Sequence, residues 1–163
     1  MEFFTLTFLR HAESVGNAQG YYQGQEDFPL TTRGESQVKR LISRWQVDGT
    51  RIDTVITSPL IRARDTAQRI SEAFACPLVE DEDWRERDIG LLSGVRRENA
   101  DKVYPRPNFF TPYDAMAGTG EGDWALYLRA GRAIHKILKR PPARYLIVSH
   151  GGILNQAMHV VFG

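Results

Sequence analysis

Short strand-like segments in this chain alternate with helix-length periodic ones, and that alternation restricts the fold more than any other feature. Phe4, Leu6 and Phe8 alternate with Thr5, Thr7 and Leu9, which predicts a strand with at least one buried face. Asp53 to Thr57 is short and β-branched, Leu78-Val79 is a minimal strand, and Tyr145 to Val148 is an apolar run. Between them, Thr32 and Glu35 match a capping box, and Val38, Leu41, Ile42 and Trp45 follow at helical spacing. This predicts a helix over 33–47 ending near Gly49. Ser58 and Pro59 match an N-cap and first helical position for a helix through Ala75. Asp123 to Lys139 reads as a helix with Trp124, Tyr127, Leu128, Ile134 and Leu138 on one side, stopped by Pro141-Pro142. Residues 95–121 hold Pro105, Pro107 and Pro112 among Tyr104, Phe109, Phe110 and Tyr113, a composition for an irregular, lid-like excursion. Strands joined by helices predict an α/β fold, a three-layer αβα sandwich with a mainly parallel sheet, as one domain over 1–163.

Composition narrows the function classes. At 163 residues with 42% hydrophobic and 25% charged residues, the chain can bury a core. Lysine and arginine total 21 against 20 acidic residues, and no basic run accumulates, so nucleic acid is not an expected partner and anion recognition must be local. Apolar runs are strand-length, and the N-terminus lacks the basic region and long apolar core of a secretory signal; no membrane association and a cytoplasmic location are the expectations. Cys76 is alone, which excludes an internal disulfide and a cysteine zinc site and leaves it as a small buried structural residue.

The chemistry concentrates where strands end. Arg10-His11 follows the first strand, and in open α/β sheets ligands bind at the carboxyl ends of parallel strands. An imidazole beside a guanidinium there points to phosphate chemistry. A neutral imidazole nitrogen can attack phosphorus if the ring is held in one tautomer, which makes His11 the candidate nucleophile. Arg10, Arg62 and a protonated or proton-donating His150 would hold the phosphoryl oxygens and keep His11 unprotonated. His11 and His150 are thereby committed to phosphate and no carboxylate cluster accompanies them, so neither a metal nor a cofactor is expected. His135 and His159 lack such context and read as structural or solvent residues, and Arg64 as a partner of Asp65 or Glu72.

Leu9-Arg10-His11-Ala12-Glu13-Ser14-Val15-Gly16-Asn17, Ser58-Pro59-Leu60-Ile61-Arg62-Ala63, Glu86-Arg87-Asp88-Ile89-Gly90 and Ser149-His150-Gly151-Gly152 together resemble, in order, the motifs of the histidine phosphatase superfamily, phosphoglycerate mutase-like branch. The resemblance implies one antiparallel strand in the sheet, Asn17 as a further amide donor to the phosphate, and Glu86 as the acid for the leaving oxygen, with Asp88 as its rival. It also implies a longer stretch after His150 than the one ending at Gly163, carrying a last edge strand. Ala12 stands where the commonest family motif has glycine. Arg96-Arg97 follow Gly94 directly, whereas the arginine pair of the mutases sits in a longer insertion, which favours hydrolysis over mutase chemistry. Gly118 to Asp123 resembles the segment that opens the family's late helix, bringing Glu121 toward the pocket. The expected activity is hydrolysis of a small phosphorylated metabolite through phosphohistidine, releasing inorganic phosphate. The alternatives are a mutase-type phosphoryl transfer and a non-catalytic phosphoryl-binding module.

Overall fold

The computed structural model describes residues 3–163. In chain order it contains β1 (Thr5–Arg10), α1 (Val15–Ala18), β2 (Tyr21–Tyr22), α2 (Thr32–Val47), β3 (Thr54–Thr57), α3 (Ile61–Phe74), β4 (Leu78–Glu80), β5 (Val95–Arg96), α4 (Ala100–Val103), α5 (Asp123–Leu138), β6 (Arg144–Ser149) and α6 (Gly151–Phe162). The main sheet has the order β1-β6-β3-β4. All of its ladders are parallel, because a helical crossover returns the chain to the same end of the sheet before each new strand. The antiparallel strand implied by the family resemblance is therefore absent from this sheet among the described residues. The only antiparallel ladder there is the separate β2–β5 pair.

Strand periodicity divides the core into two layers of packing. Val55, Leu146 and Val148 face Val38, Ala63, Ala67 and Ile70 of α2 and α3, whereas Ile56, Tyr145 and Ile147 face Leu126, Ala130 and Ile134 of α5 and Ile153 and Ala157 of α6. Helices thus cover both faces, and the three-layer α/β sandwich follows.

Several local expectations shift. The cap of α2 is Thr31, whose Oγ1 accepts from Gly34 N at 2.9 Å; Glu35, expected in a capping box with Thr32, instead pairs with Arg69 across to α3 at 2.6 Å. α3 starts at Ile61 rather than Pro59, because Ser58 Oγ accepts from Leu60 N at 3.2 Å and spends the intervening residues on a turn. Arg62 is consequently the second helical residue. On α5 the buried face is Leu126, Ala130, Ala133, Ile134 and Ile137, and the expected Trp124, Leu128 and Leu138 are exposed. Trp124 stacks on Tyr127 and meets the ring of Tyr113 at a tilt of 57°, in the segment that precedes the helix. Cys76 is only partly buried, against the core beside Ile70, and Arg64 lies 3.9 Å from Asp65.

Residues 97–122 contain only short helical turns around Leu92, Ala100 and Ala117. Gly90 fixes where this segment meets the rest. Its φ of +56° is left-handed, and a Cβ there would lie 2.5 Å from Gly120 N, so the two backbones touch. Glu121 N donates to Asp88 O at 2.8 Å alongside this contact.

Candidate active site

Because β6 lies between β1 and β3, the residues leaving these strands converge at one edge of the sheet. His11 N donates to Ser149 O at 2.9 Å and Ser58 N to Val148 O at 3.2 Å, which locks the three exits together. A cavity of about 430 Å³ opens there, and Arg10, His11, Asn17, Arg62 and Glu86 all line it. His150 lies fully buried beside it, its ring centroid 5.1 Å from that of His11.

His11 is 7% exposed, and its Nδ1 meets Ala12 O at 2.7 Å. A carbonyl can only accept, so Nδ1 carries the proton and Nε2 keeps its lone pair. Burial, with Arg62 and Arg10 nearby, outweighs the Ala12 hydrogen bond and lowers the pKa of His11 to about 3. His150 is also held well below the ordinary histidine value, first by burial and then by Arg62, His11, Arg10 and Arg129. Of the two states anticipated for His150, the neutral donor is the one this environment favours. Its Nε2 lies 2.8 Å from Ser58 Oγ, and its buried Nδ1 has no partner among the described residues.

Arg62 is 1% exposed. Its Nη1 and Nη2 donate to Glu26 O and Gly24 O, both at 2.7 Å, while its buried Nε has no partner. Burial lowers its pKa to about 10 against the opposing pull of Glu86 and Asp27, so it stays cationic at neutral pH. Asn17 Oδ1 accepts from Ser14 N at 3.1 Å, an anchoring that leaves the amide nitrogen for the cavity. Ala12 N donates to Thr66 Oγ1 at 3.2 Å, pinning the His11 loop to α3.

Glu86 sits over the start of α6. Its carboxylate accepts from Arg87 N at 2.8 Å, Gly152 N at 3.2 Å and Ile153 N at 3.3 Å, the helix end where free N–H groups favour an anion. Gly152 makes room, since a Cβ there would lie 2.5 Å from Glu86 Oε1. Asp88 instead caps the turn at Gly90 N, 2.9 Å away, and is not among the cavity residues. Glu121 also turns away from the cavity: it forms a paired contact with Arg129 at 2.8 and 2.6 Å, and Arg129 donates to the carbonyls of Asp83, Arg85 and Glu86. Glu121 thus braces the Glu86 loop through Arg129.

Gln23, Arg87, Arg97, Asn155, Gln156 and His159 also line the cavity and were not singled out as site residues from sequence. Asn155, Gln156 and His159 follow Gly152 at spacings of three, four and seven, so one polar stripe of an otherwise apolar helix faces the cavity. That stripe was a readable signal for His159. Gln23, which shares the Ser14 hydroxyl with Asn17 at 2.7 Å, carried none. Among the described residues, no group of three or more His, Cys, Asp and Glu side chains is placed to hold a metal ion.

The depressed histidine has a measurable consequence. Between the ordinary value of 6.5 and about 3, the unfolded chain binds a proton at His11 that the folded ring refuses. Stability therefore rises with pH through this window and is lost as pH falls, with a slope of up to about 1.4 kcal/mol per pH unit for this one group. Denaturant titrations in phosphate-free buffer from about pH 4 to pH 7 should show a shallower slope for His11→Gln than for wild type. Equal slopes contradict the buried neutral ring.

The histidine phosphatase superfamily (branch 1) model matches residues 6–163, and the chain belongs to this family. Probable phosphoglycerate mutase GpmB of Enterobacter sp. (strain 638) is 32% identical over 159 residues, covering 95% of this chain and 73% of that protein. Uncharacterized phosphatase PhoE of Bacillus subtilis (strain 168) is 30% identical over 155 residues, covering 95% and 76%. Among solved structures, a putative alpha-ribazole-5'-P phosphatase from Escherichia coli str. K-12 substr. MG1655 superposes with a TM-score of 0.82 at 27% identity, covering 99% of this chain and 80% of that one. No helix is long and apolar enough to cross a membrane among the described residues.

Proposed function

We propose that this protein hydrolyses small cytoplasmic phosphomonoesters through a phosphohistidine formed on His11. The observation that carries this reading is the Nδ1 contact of His11 with Ala12 O, which leaves Nε2 unprotonated beside two arginines. In the first step the Nε2 lone pair forms the N–P bond, the P–O bond to the alcohol breaks, and a proton brought by the monoanionic phosphomonoester passes through Glu86 to the leaving oxygen. Arg10 and the Nε of Arg62 neutralise charge on the phosphoryl oxygens, with the amide groups of Asn17 and Gln23 as further donors. With the Ser58 hydroxyl, which accepts from Leu60 N, donating its proton to His150 Nε2, the Nδ1–H of that ring is left to donate to the phosphoryl group. In the second step Glu86 takes a proton from water, the hydroxide attacks phosphorus, and the N–P bond breaks to release inorganic phosphate. No step draws on a metal, an organic cofactor or a nucleic acid.

The names of the GpmB relatives support a second reading, phosphoryl transfer within a phosphoglycerate. One assay separates the two. Phosphate release from an aryl phosphate and a panel of phosphorylated metabolites is expected, undiminished by excess EDTA and without a bisphosphorylated primer. Primer-dependent activity that conserves phosphate in the organic pool would favour the mutase, and restoration by magnesium or zinc after chelation would contradict the mechanism.

A further inference from the structure

Helix α3 begins after Leu60, whose side chain cannot accept a hydrogen bond, and its first turn contains no acidic residue. The free N–H of Ile61 is met instead from a distant part of the chain: Asp27 Oδ1 accepts from it at 2.8 Å. Ile61 precedes Arg62, and the return contacts run to the same segment. Arg62 donates from Nη1 to Glu26 O and from Nη2 to Gly24 O, both at 2.7 Å. The carbonyls that orient the guanidinium thus stand just before the carboxylate that caps its helix. Segment 23–27 has no helix or strand of its own to hold those carbonyls. Its other side-chain ties are Gln23, which accepts from Ser14 Oγ at 2.7 Å, and Gln25, whose Nε2 donates to Glu86 O at 3.0 Å.

We propose, on the basis of the phosphatase reading of Arg62, that Asp27 is a positioning residue for phosphoryl recognition. By holding the start of α3 against segment 23–27, it fixes the plane of the Arg62 guanidinium and aims its Nε at the phosphoryl group. A long, flexible side chain makes a clamp only when its plane is set before the anion arrives. Two carbonyls set that plane, and Asp27 sets the carbonyls. Asp27 is itself exposed and does not line the cavity, so it acts only through these contacts. Its position matters more than its charge, because Arg62, with a pKa of about 10, has a wide margin above neutral pH. Gln23 and Gln25 keep part of the frame without Asp27, so its loss should cost less than the loss of Arg62.

Calorimetric titration with orthovanadate in phosphate-free buffer reads the clamp without turnover. Asp27→Ala should weaken binding about tenfold, with a matching fall in kcat/KM for an aryl phosphate. Asp27→Asn keeps an acceptor and should stay within about threefold of wild type. Ile61→Pro removes the donor instead and carries the test if Asp27→Ala does not fold. Proline suits a first helical position, and Leu60, at φ −61° and ψ 131°, has the extended backbone that a residue before proline adopts, so this variant should match the tenfold loss of about one order in affinity. In an Arg62→Met background, Asp27→Ala should change vanadate affinity by less than about twofold, whereas a general loosening of the fold would weaken it equally in both backgrounds. Wild-type affinity in Asp27→Ala or Ile61→Pro, an Asp27→Asn as weak as Asp27→Ala, or equal losses in both backgrounds overturns the inference and leaves the phosphatase reading standing. Failure of wild type to bind vanadate contradicts both.

Discussion

His11→Ala is expected to lose turnover by a factor on the order of 10⁵ or more while keeping its fold. The ring makes one hydrogen bond, to the carbonyl of the next residue, whereas the surrounding loop is held through its own backbone N–H groups, from His11 N to Ser149 O and from Ala12 N to the Thr66 side-chain Oγ1. Removing the imidazole therefore deletes the nucleophile and leaves its frame. His150 cannot substitute. It is fully buried, and its Nε2 is occupied by Ser58. Steady-state hydrolysis of an aryl phosphate, with circular dichroism to confirm folding, checks the expectation. A variant retaining activity within tenfold of wild type would remove His11 from the mechanism.

The second large effect is selective. Glu86→Gln should slow phosphate release from alkyl phosphates by about 10²–10⁴-fold and from nitrophenyl phosphate far less, because an alkoxide needs a proton to leave and a nitrophenolate does not. The glutamine oxygen in the Oε1 position can still accept from Arg87 N and Ile153 N, so the loop should keep its place over α6. Asp88→Asn provides the comparison: Asp88 bonds Gly90 N and does not line the cavity, so its loss should affect both substrate classes alike through the turn. Equal losses for both classes in Glu86→Gln would indicate a binding role, and a leaving-group-dependent loss confined to Asp88→Asn would move the acid there.

What was legible in the sequence and what was not follow a physical division. The αβα sandwich was readable because strand and helix periodicities are local, and the candidate site because its residues fall in four motifs that resemble a family's; of these Arg10, His11, Arg62 and His150 lie at or just beyond strand ends, whereas Asn17 and Glu86 rested on the resemblance alone. Once those motifs picked out Arg10, His11 and Arg62, bringing them together needed only that β1 and β3 point the same way. The start of α2 was displaced by one residue because Thr31 and Thr32 are equally good caps on paper, and only the contact of Thr31 with Gly34 N distinguishes them. The α5 face was misassigned because aromatic residues were counted as core. Trp124 and Tyr127 instead stack with each other, and Trp124 meets Tyr113 with its ring tilted, a partner no helical periodicity reveals. Gln23 carried no signal and Arg97 was noticed only as part of an arginine pair discounted for its position: both reach the cavity through loops and the short β2–β5 pair, whose register is set by tertiary contacts around Leu92, Ala100 and Ala117. Glu121 shows the reverse case. A carboxylate near the pocket in sequence order is turned away by Arg129, whose better use is to hold the backbone carrying Glu86.

The covalent intermediate is the central claim, and trapping it is the most direct test. Wild-type protein mixed with ³²P-labelled substrate and denaturased in alkali should retain label on protein, because a phosphoramidate survives base and hydrolyses in acid. Peptide mapping should place the label on His11, and His11→Ala should retain none. Full turnover with no trapped label in a rapid quench, or label mapped to any residue other than His11, would contradict the mechanism.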